Sequence, residues 1–277
     1  MRFVWNFGVA ALAAGIALAG CQKDTDLYPA PPGCEGSTCT PSISGGSTPE
    51  KDGGQGGGGT GGAPATIDQT GTVHRIVSST FDDTSTQPYT GAATIVALPQ
   101  VGGMVSTMYG GAAGTTFSFT KIPSGPAWFL VQDDTGGTGE VLSTISFASL
   151  PVLSNFTLPI IDLGTMQNIA YSLPTVSSQG VSTLAAQVIL FVYHANAPYK
   201  GVQVVGGAGG AKIAYDNGSG YSDSATATGT NGTVILFNAG LSSLSKIVLK
   251  DTSTQQTYEV PVQVATGAAT LAGIDIP

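Results

Sequence analysis

From about residue 66 onward, short stretches of alternating apolar and polar residues dominate the chain, and they predict β-strands. Thr116-Phe117-Ser118-Phe119-Thr120 places both phenylalanines on one face. Further along, Tyr258-Glu259-Val260-Pro261-Val262-Gln263-Val264 sets Tyr258, Val260, Val262 and Val264 on one face. Pro261 has no N–H to give a ladder, which assigns that strand to a sheet edge. Helical periodicity is confined to residues 181–187, where Leu184-Ala185-Ala186 allows a turn or two. Strands separated by Gly, Asn, Asp and Ser turns at this spacing predict an all-β chain built from sandwiches.

An internal repeat organises these strands. Gln87-Pro88-Tyr89-Thr90-Gly91 is echoed by Ala197-Pro198-Tyr199-Lys200-Gly201, about the length of one small β-sandwich further on. Each copy lies between a preceding β-rich run (Thr72 to Val77; Gln187 to Tyr193) and a following one (Ala93 to Leu98; Val202 to Val205). Two tandem antiparallel, Ig-like sandwiches are expected, over residues 65–165 and 184–277, with 166–183 as connector.

The first residues follow another pattern: Arg2, then the apolar run Val9 to Ala17, then Leu18-Ala19-Gly20 before Cys21. This resembles a bacterial lipoprotein signal, matching the lipobox at every position. The resemblance implies removal of residues 1–20, a lipidated Cys21 and retention at the membrane through acyl chains. Gln22 after the cysteine implies, by the same resemblance, sorting to the outer membrane. Residues 21–64 carry Pro31-Pro32, Ser44-Gly45-Gly46-Ser47 and the glycine run from Gly53 to Gly62, with almost no apolar residues. Such a segment cannot bury enough surface to offset chain entropy, so it reads as a disordered tether spanning about 35 Å.

Charge narrows the partners. Loss of Arg2 with the leader takes the nine basic residues to eight against seventeen acidic ones, a net charge near −9. The cations are scattered singly, so no nucleic-acid partner is expected. With Cys21 lipidated, Cys34 and Cys39 form a local disulfide candidate in an oxidising compartment. Two thiolates with no nearby histidine make a weak zinc site.

A second resemblance concerns the folded part. Gly114-Thr115-Thr116-Phe117-Ser118-Phe119-Thr120-Lys121-Ile122-Pro123-Ser124-Gly125-Pro126-Ala127-Trp128 is similar to the G-x-F-x-F-x-x-I-P-x-G-x-Y pattern of carboxypeptidase regulatory-like, transthyretin-like β-sandwiches. Gly201-Val202-Gln203-Val204 and Thr228-Gly229-Thr230-Asn231-Gly232-Thr233 resemble the strand entry and T-x-x-N-G turn of that family. The first copy lacks the T-D-x-x-G turn, and the second has Asn238-Ala239-Gly240 in place of Pro-x-Gly. The resemblance implies an accessory, adhesive or spacer module with no catalytic residues and no cofactor.

The chemical inventory points the same way. The two histidines, His74 and His194, fall within or just after the first strand run of each copy and read as equivalent structural positions. Ser124 reads as a turn residue, and no G-x-S-x-G elbow occurs. Asp216 and Asp223 flank an oxygen-rich loop and are weak calcium candidates. Trp128, Tyr109, Tyr199, Tyr215 and Tyr221 are candidate ligand contacts, because flat rings stack on sugars or proteins at small entropic cost. The expected function is a noncatalytic envelope lipoprotein acting as a structural or protein-interaction module. The alternatives are a carbohydrate or cell-wall binding module and, less in keeping with the inventory, a hydrolase.

Overall fold

The computed structural model describes residues 65–81, 86–112, 115–134, 140–153 and 156–277. The leader, Cys21, the Cys34 and Cys39 pair and the tether lie outside the described residues. Eight strands make the first half: β1 (Thr66–Ile76), β2 (Thr86–Pro88), β3 (Ala93–Pro99), β4 (Val105–Tyr109), β5 (Phe117–Pro123), β6 (Gly125–Asp133), β7 (Val141–Leu150) and β8 (Thr157–Asp162). A helix, α1 (Leu163–Ser172), follows. The second half has β9 (Ala186–His194), β10 (Ala197–Pro198), β11 (Val202–Gly206), β12 (Lys212–Asp216), β13 (Tyr221–Ser222), β14 (Thr233–Ala239), β15 (Leu244–Asp251), β16 (Thr257–Gln263) and β17 (Ala268–Ile276).

Among the described residues the chain is all-β apart from α1, and its halves repeat one plan. In the first, β1 pairs antiparallel with β2 and β5 and parallel with β8, while β3 pairs with β6 and β6 with β7. In the second, β9 pairs antiparallel with β10 and β14 and parallel with β17, while β11 pairs with β15 and β15 with β16. The halves differ in places: β4 joins β3, whereas β12 joins β14, and β7 also pairs with β8, whereas β16 ends a separate sheet. The repeated Pro-Tyr motif sits at the same corner of both, where the Tyr89 N–H donates to Val73 O (2.9 Å) and the Tyr199 N–H to Val192 O (2.8 Å). Pro261 lies on β16, at the edge of the three-stranded sheet β11-β15-β16, where its missing N–H costs no ladder bond.

Side-chain alternation explains the layers. On β5, Phe117 and Phe119 are buried and Ser118 and Thr120 exposed. With Val73, Ile95, Phe129 and Leu158 the two phenylalanines fill the first sandwich. On β9, Val188, Leu190 and Val192 face the second sandwich core with Val234, Leu236, Ile247 and Leu249. The intervening Ile189, Phe191 and Tyr193 face a third core. That strand is covered on both sides, which is why its sequence is a continuous apolar run.

The third core joins the halves. Met166 and Ile169 of α1 pack with Ile189, Phe191, Ile235, Phe237 and Leu271 on one side and with Ile76, Phe81 and Ile161 on the other. Beside it β17 pairs in parallel with β7 as well as with β9, so one sheet runs through both halves.

The position of the helix departs from expectation. Residues 181–185 form turns leading into β9, which already holds Ala186 and Gln187, and α1 lies earlier, capped by Asp162, whose carboxylate accepts the Thr165 N–H at 2.6 Å. Gly164, Thr165 and Asn168 are poor helix formers, so the helix depends on burying Met166, Ile169 and Ala170 at i, i+3, i+4 spacing. Among the described residues no helix is long and apolar enough to cross a membrane.

Candidate functional site

The loop end of the second half is the most elaborated polar region. Asp216, at the end of β12, is only 1% exposed. Its carboxylate accepts the backbone N–H groups of Gly229, Asn231 and Thr233, each at 2.9 Å. The T-x-x-N-G turn is therefore wrapped around a buried carboxylate, which gives three of its backbone N–H groups a charged acceptor. Gly232 in that turn has φ 62°, and a Cβ there would lie 2.4 Å from Val192 O. Only glycine fits.

The turn in turn fixes the repeated motif. Thr228 Oγ1 accepts the Val202 N–H (3.0 Å) and donates to Tyr199 O (3.0 Å). Tyr199 Oη donates to Asp251 Oδ2 at 3.3 Å. Asp251 also accepts the Ser253 N–H (2.7 Å), Ser253 Oγ–H (2.8 Å) and Thr254 Oγ1–H (2.9 Å). Burial pushes its carboxyl up, but these donors outweigh it and hold the group below its ordinary value. The first half repeats the contact: Tyr89 Oη donates to Asp133 Oδ1 at 2.6 Å. Over the second corner lies an open cleft of about 470 Å³, with Lys200, Asn217, Thr230, Thr252 and Ser253 in its lining.

A second open cleft, of about 390 Å³, lies where α1 meets the loop before β13, lined by Val77, Ser79, Thr165, Asn168, Ser172 and Tyr221 among others. Among the described residues no charged side chain lines it.

The expected contact aromatics are largely spent on the scaffold. Tyr109 is 2% exposed, donates from Oη to Tyr89 O at 2.8 Å and stacks on the Tyr89 ring. Tyr215 is 5% exposed, and its Oη accepts the Val204 N–H at 2.9 Å. Burial and the neighbouring Asp216 charge push the Tyr221 phenol far up, and its ring packs 6.3 Å from Phe81. Trp128 is half-buried, edge-on to Phe147 at 5.1 Å and against the second sandwich core. A tyrosine in a Gly-rich loop has an apolar body as well as a polar tip, and here the body won. Tyr199 alone of the five lines the Lys200 cleft.

The calcium candidates serve separate backbone partners. Asp216 holds its turn, and Asp223 accepts the Thr175 N–H at 2.7 Å, which lowers its carboxyl. Among the described residues no three His, Cys, Asp or Glu side chains converge as a metal site needs. Nor are the histidines equivalent. His74 opposes Pro88, whereas Tyr193 opposes Pro198, so His74 corresponds to Tyr193 and His194 to Arg75. A one-residue offset on a strand turns the side chain to the other face. His74 Nδ1 lies 3.4 Å from Thr86 Oγ1, and burial lowers its imidazole. His194 Nδ1 lies 3.0 Å from the Ile276 carbonyl oxygen.

Comparison with known proteins adds little to this geometry. No family model and no curated protein matches the chain. Among solved structures it is similar to the Bacillus anthracis TIE protein, at 8% identity and TM-score 0.23 over 76% of this chain and 34% of that one. The chain thus spans about a third of that protein's length. It is also similar to a streptococcal ancillary pilin, at 11% identity and TM-score 0.21 over 76% and 68% of the two chains. A third likeness is to a protein from Bacteroides eggerthii DSM 20697 described as a cell adhesion protein, at 8% identity and TM-score 0.22 over 79% and 89%. TM-scores this low leave fold and function to rest on the chain's own geometry.

Proposed function

We propose that the protein is a noncatalytic lipoprotein of the cell envelope, held to the outer membrane through Cys21, with residues 21–64 as spacer. Its sandwich units, 65–165 and 184–277 joined by 166–183, are of the carboxypeptidase regulatory-like, transthyretin-like kind and act as a structural or protein-interaction module. One observation carries this reading: the groups that would do chemistry are committed to holding loops. Asp216 and Asp251 are each saturated by backbone and hydroxyl donors, and His194 is turned to a main-chain carbonyl. A general acid or base needs a free partner within reach of substrate, and these have none to spare. The open, hydroxyl-lined ends of the sandwich suit contact with another surface. Of the five candidate contact aromatics, Tyr109 and Tyr215 are buried and the others share no single cleft, which favours this reading over a sugar-binding platform.

The test has two arms. Labelled palmitate should enter the full chain and fail to enter Cys21→Ser. Immobilised full chain should then retain an envelope protein from solubilised membranes and leave insoluble peptidoglycan and polysaccharide in the pellet unbound. Co-sedimentation with polysaccharide alone would replace this reading with sugar binding through the Lys200 cleft, and unlabelled chain would remove the anchor.

A further inference from the structure

The geometry points to a second role: the folded part is built to carry tension along the chain. In each half the first and last strands lie side by side in parallel. β1 and β8 are in register over five pairs, Thr72↔Thr157 to Ile76↔Ile161. β9 and β17 are in register over eight, Gln187↔Ala269 to His194↔Ile276. The chain enters each pair at the start of one strand and leaves at the end of the other. Pulling the two ends apart therefore slides parallel strands past each other, and the whole ladder must break together. Loaded from one end of the ladder instead, the same bonds would break one at a time.

Side chains reinforce both ladders across the sliding direction. In the first, Thr72 Oγ1 meets Thr157 Oγ1 at 3.3 Å, and Arg75 Nε donates to Asp162 Oδ2 at 3.0 Å. In the second, the His194 ring meets the Ile276 carbonyl, an acceptor that fixes the imidazole with its hydrogen on Nδ1. β17 is also tied in parallel to β7 over Ala268↔Ser143 to Thr270↔Ile145, so a pull on it reaches the first half directly as well as through α1. Forced unfolding is governed by the unfolding barrier, and a ladder sheared as a block raises that barrier without any change in equilibrium stability.

This role gains its purpose from the anchored-surface reading, but the mechanics are measured without an anchor, so the two fail separately. The full chain, bearing a handle at the exposed turn residue Ala195 and handles at both ends, is stretched in a single-molecule instrument. Pulled end to end it should show abrupt peaks, one for each half. Pulled between Ala195 and the chain end after Ile276, β17 peels from β9 pair by pair, and rupture should come at a force several times lower. The end-to-end trace of the same molecule shows that it is folded. Equal forces in the two directions, or end-to-end extension without peaks, would overturn the proposal.

Discussion

Replacing Asp216 with Asn should loosen the second half measurably. The carboxylate offers two oxygens to three backbone N–H groups, with Oδ2 taking Gly229 and Thr233 and Oδ1 taking Asn231. An amide keeps one acceptor and turns an NH₂ toward the other side, so at least one buried donor faces a donor. Leaving such a group unpaired costs about 1–3 kcal/mol, and bonds to a charged acceptor contribute about 1.5–3 kcal/mol each before the charge is lost. The expected loss is about 3 kcal/mol. At about 2–4 °C per kcal/mol for a folded unit of this size, Tm should fall by about 6–12 °C. Urea unfolding followed by far-ultraviolet circular dichroism should show a lower midpoint at unchanged slope. Asp223→Asn, which removes one acceptor at the surface, should stay within about 0.5 kcal/mol of the parent. If Asp216→Asn does the same, the cage contributes nothing. If millimolar calcium raises the parent's Tm and not the variant's, Asp216 is a cation ligand and the reasoning fails.

Gly232→Ala, forcing a Cβ against Val192 O at φ 62°, should cost about 2 kcal/mol or more by thermal melting, beyond the roughly 1 kcal/mol range of an unstrained glycine change. Burial lowers the folded imidazole of His74, so the unfolded chain takes up that proton first and stability falls as pH drops from about 6.5 toward the folded value. His74→Gln should flatten the midpoint over that interval, and an unchanged pH profile would contradict the assignment. Asp251 has the other familiar sign: its carboxyl is lowered, so its contribution is present above about pH 4 and lost as pH falls through the folded value. Asp251→Asn should shrink the acid limb of the stability profile. Met166→Ala, by hollowing the core shared by the halves, should cost about 2–5 kcal/mol and shift the melting of both together. Two separate transitions in hydrogen exchange, with only one moved, would show that the halves are not coupled through α1.

Much of the fold was legible because burial writes a period into the chain. Phe117 and Phe119 on one face of β5, and Pro261 at a sheet edge, follow from local rules that the tertiary structure did not override. The Pro-Tyr repeat located the matching corners of the halves. What it left open was everything set by partners distant in sequence. Nothing local to residues 268–276 says that this strand will lie between β9 and β7. α1 carried the right spacing at Met166, Ile169 and Ala170, hidden among residues that disfavour helices. Asp216 looked like loop chemistry because Asn217, Gly218 and Ser219 follow it, yet its carboxylate turns inward to a segment thirteen to seventeen residues further on. Tyr109 and Tyr215 are buried for the same reason: position in the sequence does not reveal what closes over the ring.

The place of β17 in the sheet also sets an order of events during folding. Every other strand precedes it, and until it arrives the facing edges of β7 and β9 stand open with unpaired main-chain groups, a template for pairing with another chain. The first half can close β1 against β8 by residue 162, while the second must wait for Ala268 to Ile276. A polypeptide made in sequence therefore leaves these two edges open until residues 268–276 are in place. Chains cut short of Ala268 should partition to aggregates and proteolysis.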